Sequence, residues 1–268
     1  MKLNLVWLCI AIAAAGWMPA GAIAGHVRVT VTVQNLSPTN SVSFAPLRLG
    51  FNNGTFDAFN NGQSATAPIV SVAEGGSAVD WFPAFATADP SATLGSVGGA
   101  LLPGHTAAKS FTIDPAVNQY FTFGAMVIPS NDFFIGNDSP TEYHLFDSSG
   151  NLLITSIRQK ASDIWDAGSE AFDPANAAFL VGGTNSLRTP QNGVVNFNFT
   201  ELSGFNGLTT AAGYTFDSQL TADTDIYLIS FSAQTVPEPA TMALAGIGLI
   251  GMVGYRRLRR REPGSKIV

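Results

Sequence analysis

The stretch "VRVTVTV", from Val27 to Val33, alternates valine with arginine or threonine over its whole length. Successive side chains of a β-strand point to opposite faces of a sheet, so this spacing predicts a half-buried strand with its valines toward a core. Strands with one apolar and one polar face are typical of antiparallel sheets. The stretch therefore predicts that the folded part of the chain opens with an antiparallel β-strand.

Six further segments have the composition of short strands and are separated by Gly, Asn, Ser and Pro. They are "PLRLGF" from Pro46, "YFTFGAMVI" from Tyr120, "EYHLF" from Glu142, "LLITSI" from Leu152, "VVNFNF" from Val194 and "IYLISFSA" from Ile226. The "DSSGN" between Phe146 and Leu152 is a turn signal and predicts a hairpin. Many short strands with this spacing predict an all-β fold, an antiparallel β-sandwich, in one domain over residues 25–235.

Helical periodicity is confined to one segment, "TAPIVSVAEGG" from Thr66, which ends on a pair of glycines. We expect a single helix there, because glycine commonly ends helices. The Ala/Gly-rich region from Ala84 to Ala108 shows neither helical nor strand periodicity, so we interpret it as a long connection between strands. Trp81 and Trp165 are expected to be aromatic core residues.

The N-terminus has the layout of a secretory signal peptide over residues 1–24. A lysine at the second position precedes an apolar run from Leu3 to Ala15, and the small residues Ala22 and Ala24 form a cleavage site before Gly25. The alternative is a permanent membrane helix, but the run is short for a span of about 20 residues. We therefore expect an exported chain that begins near Gly25 after cleavage.

A second targeting signal occupies residues 236–262. It joins the triplet Pro237-Glu238-Pro239, an apolar segment at 240–255 and five arginines between Arg256 and Arg261; a short tail at 263–268 follows. Arginines that follow an apolar segment stay on the cytoplasmic side, so the upstream chain is predicted to lie outside the membrane.

This order of motif, apolar segment and basic end resembles the PEP-CTERM sorting signal of Gram-negative bacteria. The resemblance implies that a membrane protease of the exosortase type cuts near the Pro-Glu-Pro triplet. Before processing, the chain would be held in the inner membrane by its C-terminal segment, and afterwards it would reside in the cell envelope or extracellular matrix. A simple tail anchor with the same topology is the alternative.

The exported segment is strongly acidic. Between Gly25 and Val236 it carries six basic and 17 acidic residues, a formal charge of −11, whereas the whole chain has −6. Such a surface repels phosphate backbones, which argues against a nucleic-acid partner, and it attracts divalent cations. The only cysteine, Cys9, lies in the predicted signal peptide, so the exported domain must be stabilised by its core, by an ion, or by both.

Four landmarks occur in the order found in the spondin N-terminal domain. They are "VTVTVQNLSP", "APLRLGFNNGTFDAFNNGQSATAPIVSVAEGG", "AMVIPSNDFFIGND" and "WDAGSE". The most specific parts are "PSNDFFIG" and "WDAGSE", and the resemblance runs from about Val27 to Ala233. It implies a β-sandwich related to C2 domains that binds calcium at one edge.

The acidic loop that contains "WDAGSE" holds the candidate metal ligands. Asp166 and Glu170 flank Gly168, and a glycine there lets the chain fold back so that both carboxylates can face one ion. The resemblance adds Asp132 of "PSNDFF" as a third ligand for Ca²⁺, and it also puts an aspartate in related domains where this chain has Glu170.

Each of these acids also has a plain structural interpretation. Asp132 could form an Asx turn after Pro129, and Asp166 could cap the backbone of its own loop. Weaker candidate ligands are Asn131, Asp138 and Asp173.

Sequence motifs of common catalytic sites are absent from the exported segment: residues 25–236 contain no G-x-S-x-G, H-E-x-x-H, P-loop or G-x-G-x-x-G motif. We therefore expect a non-enzymatic, calcium-binding adhesion or binding module that contacts extracellular polysaccharide or a matrix protein. Two alternatives remain open. One is a structural matrix protein without a specific ligand, and the other is a glycoside hydrolase that uses Asp132 with Asp166 or Glu170.

Overall fold

The computed structural model describes residues 25–147 and 149–236. The predicted signal peptide at 1–24 and the predicted sorting signal from Pro237 onward, with its apolar segment at 240–255, lie outside the described residues. Within the described ranges, no helix is both long enough and apolar enough to cross a membrane.

Strands dominate the described residues, of which 36% lie in strands and 12% in helices. In the part of the chain that the structure describes, the strands are β1 (Val27–Asn35), β2 (Ser43–Phe44), β3 (Leu47–Asn52), β4 (Thr93–Val97), β5 (Thr106–Ile113), β6 (Tyr120–Ile128), β7 (Phe133–Gly136), β8 (Ser156–Lys160), β9 (Trp165–Asp166), β10 (Asn196–Phe197) and β11 (Asp225–Thr235). The helices are α1 (Ala67–Gly75) and α2 (Trp81–Ala88), with 3₁₀ turns at Ala161–Asp163 and Thr200–Phe205.

Two antiparallel sheets pack face to face, which confirms the predicted β-sandwich. The smaller sheet has the order β5-β1-β11-β8, and the larger has the order β10-β9-β7-β6-β3-β4, with β2 paired to β6. The rings of Phe121 in β6 and Phe231 in β11 meet edge to face at 4.9 Å between the sheets.

The opening strand lies inside the smaller sheet, paired on one side with β11 and on the other with β5. The four valines at 27, 29, 31 and 33 are each at most 2% exposed, while Arg28 is exposed. Each valine that is buried in this way contributes roughly 1.5–3 kcal/mol. The alternation in "VRVTVTV" therefore gives the strand its place in the core.

A second apolar cluster covers the outer face of the larger sheet. Helices α1 and α2 pack there, with Trp81 and Phe85 fully buried and Trp165 almost so, as predicted for the two tryptophans. Thr66 caps the N-terminus of α1, and Gly76, whose φ of 58° is left-handed, caps its C-terminus, so the predicted helix is confirmed. Strand β6 is buried on both faces because these helices cover the side that points away from the other sheet.

Two sequence predictions about the connections were wrong. The region from Ala84 to Ala108 is not one long connection, because it holds the rest of α2, all of β4 and the start of β5. The segments that flank "DSSGN" are not paired strands: an antiparallel bridge joins Phe146 to Leu152, so the chain does reverse there, but β8 begins only at Ser156.

Candidate functional site

The acidic loop meets the "PSNDFF" segment at one edge of the larger sheet. Asp132 directly precedes β7, and Asp166 is the last residue of β9. These strands pair antiparallel, with Phe133 opposite Asp166. The pairing brings together two acidic side chains that are far apart in the sequence.

The side chain of Asp132 binds the backbone of the acidic loop. Its Oδ2 accepts hydrogen bonds from the N–H groups of Ser169 at 2.8 Å and Glu170 at 2.9 Å, and from the Ser169 hydroxyl at 3.2 Å. The side chain is only 3% exposed. The predicted structural role as a turn residue is thus replaced by a longer-range one, in which Asp132 fixes the chain on the far side of Gly168.

The electrostatic setting of Asp132 disfavours a bare negative charge. Burial raises the pKa of Asp132 to about 7, the charge of Asp166 adds to that rise, and the N–H groups of Glu170 and Ser169 oppose it. No salt bridge reaches Asp132 or Asp166 within residues 25–147 and 149–236. A bound cation would supply the missing positive charge.

Asp166 has one oxygen turned toward its own loop and one toward a neighbouring segment. Its Oδ1 accepts the Gly168 N–H at 2.7 Å, which is the predicted capping role, and its Oδ2 accepts the Asn198 amide at 3.2 Å. Burial raises the pKa of Asp166 against these two hydrogen bonds.

Glu201 extends the acidic group and was missed by the sequence analysis. The Asn198 amide that contacts Asp166 also donates to Glu201 Oε2 at 3.3 Å. Burial and the charge of Asp166 both raise the pKa of Glu201. The sequence holds no signal for this residue, because Glu201 lies in a 3₁₀ turn after β10 that has no fixed spacing from the acidic loop.

Glu170 is turned away from the other two predicted ligands. Its Oε1 accepts the Asn131 amide at 3.2 Å, and its Oε2 forms a salt bridge with Arg188 Nη1 at 3.1 Å. Arg188 also contacts Glu74 at 2.9 Å through its Nε. Burial raises the pKa of Glu170, while Asn131 and Arg188 oppose that rise. A protein cation therefore already occupies the position next to this carboxylate.

The weaker candidates fall in two places. Asn131 links the loop to Asp173, since its Oδ1 accepts the Asp173 N–H at 3.1 Å, and Asp173 Oδ1 accepts the N–H of Ala175 at 2.9 Å. Asp138 lies elsewhere, beside a cleft, where it accepts the Asn61 N–H at 3.1 Å. These residues have structural partners.

Gly168 has the conformation that the sequence analysis expected. Its φ is +63°, a left-handed value that favours glycine, and a Cβ atom there would lie 2.7 Å from both the N and the O of Val194. The Gly168 carbonyl accepts the Gly193 N–H at 2.7 Å. The loop therefore turns back at Gly168 and packs directly on the 193–194 backbone.

The residues fit a hard cation in part. Asp132 and Asp166 are buried carboxylates that repel each other and lack a basic partner among the described residues, which suits calcium. Glu170 does not fit, because Arg188 already neutralises it. Among the described residues no group of three or more His, Cys, Asp or Glu side chains converges as a ready metal site.

Comparison with known protein families identifies one signal. Residues 235–261 match the PEP-CTERM protein-sorting motif, which confirms that part of the sequence analysis. The motif marks an exported protein that carries a C-terminal membrane-anchor signal and is processed by exosortase. The chain matches none of the curated proteins with which it was compared.

Proposed function

We propose that the sandwich is a spondin-like, calcium-binding adhesion or binding module, without enzymatic activity, that acts in the cell envelope or extracellular matrix. The observation that carries this proposal is the pair Asp132 and Asp166, two buried carboxylates from separate segments that face each other's charge without a basic partner in the described chain. The sorting motif supports the location, because it marks the chain for export.

The spondin resemblance gains support from the positions of its landmarks in the fold. "VTVTVQNLSP" contains most of β1, the long second landmark contains β3 and α1, and the last two landmarks supply β7 and β9 with the acidic loop. The two most specific landmarks are therefore neighbours across one strand pair. A relation to C2 domains and a calcium site at this edge follow from the same resemblance.

Calcium takes about six to eight oxygen ligands, and most sites combine carboxylates with backbone carbonyls and water. Asp132 and Asp166 would bind the ion, with backbone carbonyls and water as the other ligands. Glu201, which is linked to Asp166 through the Asn198 amide, would add negative potential near the ion. Glu170 would join only if its salt bridge with Arg188 opened. When bound, the ion would neutralise the buried carboxylates and hold the loop against β7.

The partner we propose is an extracellular polysaccharide or a matrix protein, reached after exosortase processing. Burial of Asp132 and Asp166 disfavours the hydrolase alternative, because a glycosidic bond must reach both carboxyl groups of such a pair. The alternative of a structural protein without a specific ligand would retain the calcium site but show no selective binding.

Equilibrium dialysis with radioactive calcium tests the proposal on the purified full chain in mild detergent. We expect about one ion per chain, and we expect the double variant Asp132→Asn and Asp166→Asn to bind none. Asp223→Asn is the matched control, because Asp223 is an acid at the surface whose salt bridge within the described residues is with Lys160. Equal calcium binding by the double variant and the control would overturn the assignment.

A further inference from the structure

A cleft that does not include Asp132 or Asp166 lies beside β9, where Trp165 forms part of its lining. The cleft has a volume of about 360 Å³, within the range of sites for small molecules. It is lined chiefly by three aromatic and three acidic side chains: Tyr143, Trp165, Phe197, Asp138, Glu142 and Asp163. None of these residues except Asp138 was a candidate in the sequence analysis.

The floor of the cleft is an aromatic platform. Phe197 is 52% exposed, and its ring stacks on Trp165 with the ring centres 3.7 Å apart and the planes 25° apart. Trp165 is itself fixed, because its indole N–H donates to the Gly136 carbonyl at 3.1 Å and its ring meets Phe59 edge to face at 5.1 Å. An exposed phenylalanine on a rigid support offers a flat apolar surface that costs little entropy to use.

The wall of the cleft is negatively charged. Burial raises the pKa of Glu142, and the nearby negative charges of Asp138 and Asp163 raise it further. Arg158 is the one basic residue that lines the described cleft, and its guanidinium is tied to Asp225 at 2.7 Å. The cleft therefore presents three carboxyl groups around an aromatic surface, a combination that repels anions and attracts organic ammonium groups.

We propose that this cleft binds a glycan that carries free amino groups, one amino sugar stacking its apolar face on Phe197 while its ammonium group faces Asp138, Glu142 and Asp163. The inference rests on the proposed function, a binding module in the envelope or matrix. A lysine side chain would satisfy the carboxylates, but its narrow flexible stem lacks the flat face that a pyranose ring presents to the stacked Phe197–Trp165 pair.

Isothermal titration of the purified full chain in mild detergent tests the proposal with four probes: a hexamer of glucosamine, the fully N-acetylated hexamer, cellohexaose and tetralysine. We expect the glucosamine hexamer to bind at least tenfold more tightly than the other three, and to weaken severalfold when salt rises to 0.5 M. Equal or tighter binding of tetralysine would overturn the proposal in favour of a basic peptide. Equal binding of cellohexaose, which carries no amino group, would contradict the proposed contact between an ammonium group and the three carboxyl groups of the cleft.

Variants locate the site. Phe197→Ala should weaken binding of the glucosamine hexamer at least tenfold, Phe197→Tyr should retain it, and Glu142→Gln should weaken it severalfold. Phe172→Ala is the matched control, because Phe172 is also a phenylalanine that is 40% exposed but does not line the cleft. Unchanged binding by both Phe197→Ala and Glu142→Gln would contradict the proposal.

Calcium binding is recorded on the same samples, so the two proposals fail separately. Phe197→Ala should bind as much calcium as the wild-type chain, which also shows that the variant is folded. A wild-type chain that binds calcium and none of the glycans overturns the cleft assignment and leaves the calcium site in place. A chain that binds the glucosamine hexamer but no calcium overturns the calcium site and leaves the cleft assignment in place.

Discussion

Asp166 lies directly opposite Phe133, the residue that follows Asp132, in the antiparallel pair of β9 and β7. This register brings the two acids to the same edge of the sandwich, and the loop after Asp166 returns its Ser169 and Glu170 N–H groups to Asp132. The carboxylate of Asp132 is therefore both a clamp on the loop and a candidate ligand. Asp132→Asn removes the charge of this side chain but keeps an oxygen that can accept hydrogen bonds from the loop, so the two roles can be tested separately.

The turn at Gly168 should tolerate no side chain. Gly168→Ala must place a residue at φ +63° and its Cβ against the Val194 backbone at 2.7 Å, so we expect a loss of roughly 2–4 kcal/mol in the free energy of unfolding. Urea unfolding measures it. The control is Gly62→Ala, which has a φ of +78° but no atom within 4 Å of the added Cβ and should lose only about 1 kcal/mol. Equal losses in the two variants would contradict the close packing of the loop on Val194.

The stability of the calcium-free protein should fall as the pH rises from about 4 to about 7. Asp132 has a pKa of about 7 in the folded state, whereas an aspartate in an unfolded chain titrates near pH ~4, so the folded state holds the extra proton in this window. The expected loss is on the order of 1–3 kcal/mol, measured by urea unfolding with chelator at several pH values.

Asp132→Asn isolates this titration, because asparagine retains an acceptor for the loop but cannot ionise. The pH dependence between 4 and 7 should become shallower in the variant, while the remaining slope reports Asp166, Glu170 and Glu201, whose pKa values are also raised. A wild-type slope that is flat, or identical to that of the variant, would show that Asp132 is not the buried acid described here.

Arg188 should matter for stability far more than an ordinary surface cation. Arg188→Ala removes the partner of Glu170, whose side chain is fully buried, and of Glu74, so we expect a loss of about 2–3 kcal/mol. Lys160→Ala breaks the exposed pair with Asp223 and should leave the free energy of unfolding nearly unchanged. Thermal unfolding compares the two variants, and similar small losses in both would mean that the Arg188 bridge contributes little.

Processing should shorten the chain at both ends, by signal-peptide cleavage at the N-terminus and by exosortase at the C-terminus. We expect a mature product that begins near Gly25 and ends close to Pro237-Glu238-Pro239, because the sorting motif covers residues 235–261. Intact mass spectrometry of protein from the native host measures this. A dominant species that keeps the arginines between Arg256 and Arg261 would show that the tail remains as an anchor.

Much of the sandwich could be predicted because its strands carry their own pattern. The alternation from Val27 to Val33 marks β1, and the apolar, aromatic run from Tyr120 to Ile128 coincides with β6. The segment at Glu142–Phe146 has similar composition but forms only isolated bridges, because composition does not specify a partner strand. Helix α2 was missed because its sequence "WFPAFATA" is apolar nearly all round and has a proline within it.

The candidate site could be predicted only where the contacts are local or match a family landmark. The turn at Gly168 and the cap by Asp166 depend on local contacts. The spondin resemblance predicted that Asp132, from a separate segment, belongs to the same site as this loop. The pairing of Glu170 with Arg188 depends on how two loops pack, and so do the contacts of Asn198 and the aromatic cleft. Such contacts leave no periodic trace in a single sequence.

Thermal unfolding of the purified chain with chelator and with millimolar calcium tests the central claim, that a calcium ion binds at Asp132 and Asp166. Binding to the folded state at a hundredfold excess over Kd adds about 2.7 kcal/mol, so calcium should raise the melting temperature by roughly 5 °C or more. The Asp132→Asn and Asp166→Asn double variant should lose that response while its β-type circular dichroism spectrum persists. A wild-type chain that melts at the same temperature with chelator and with calcium would contradict the calcium site.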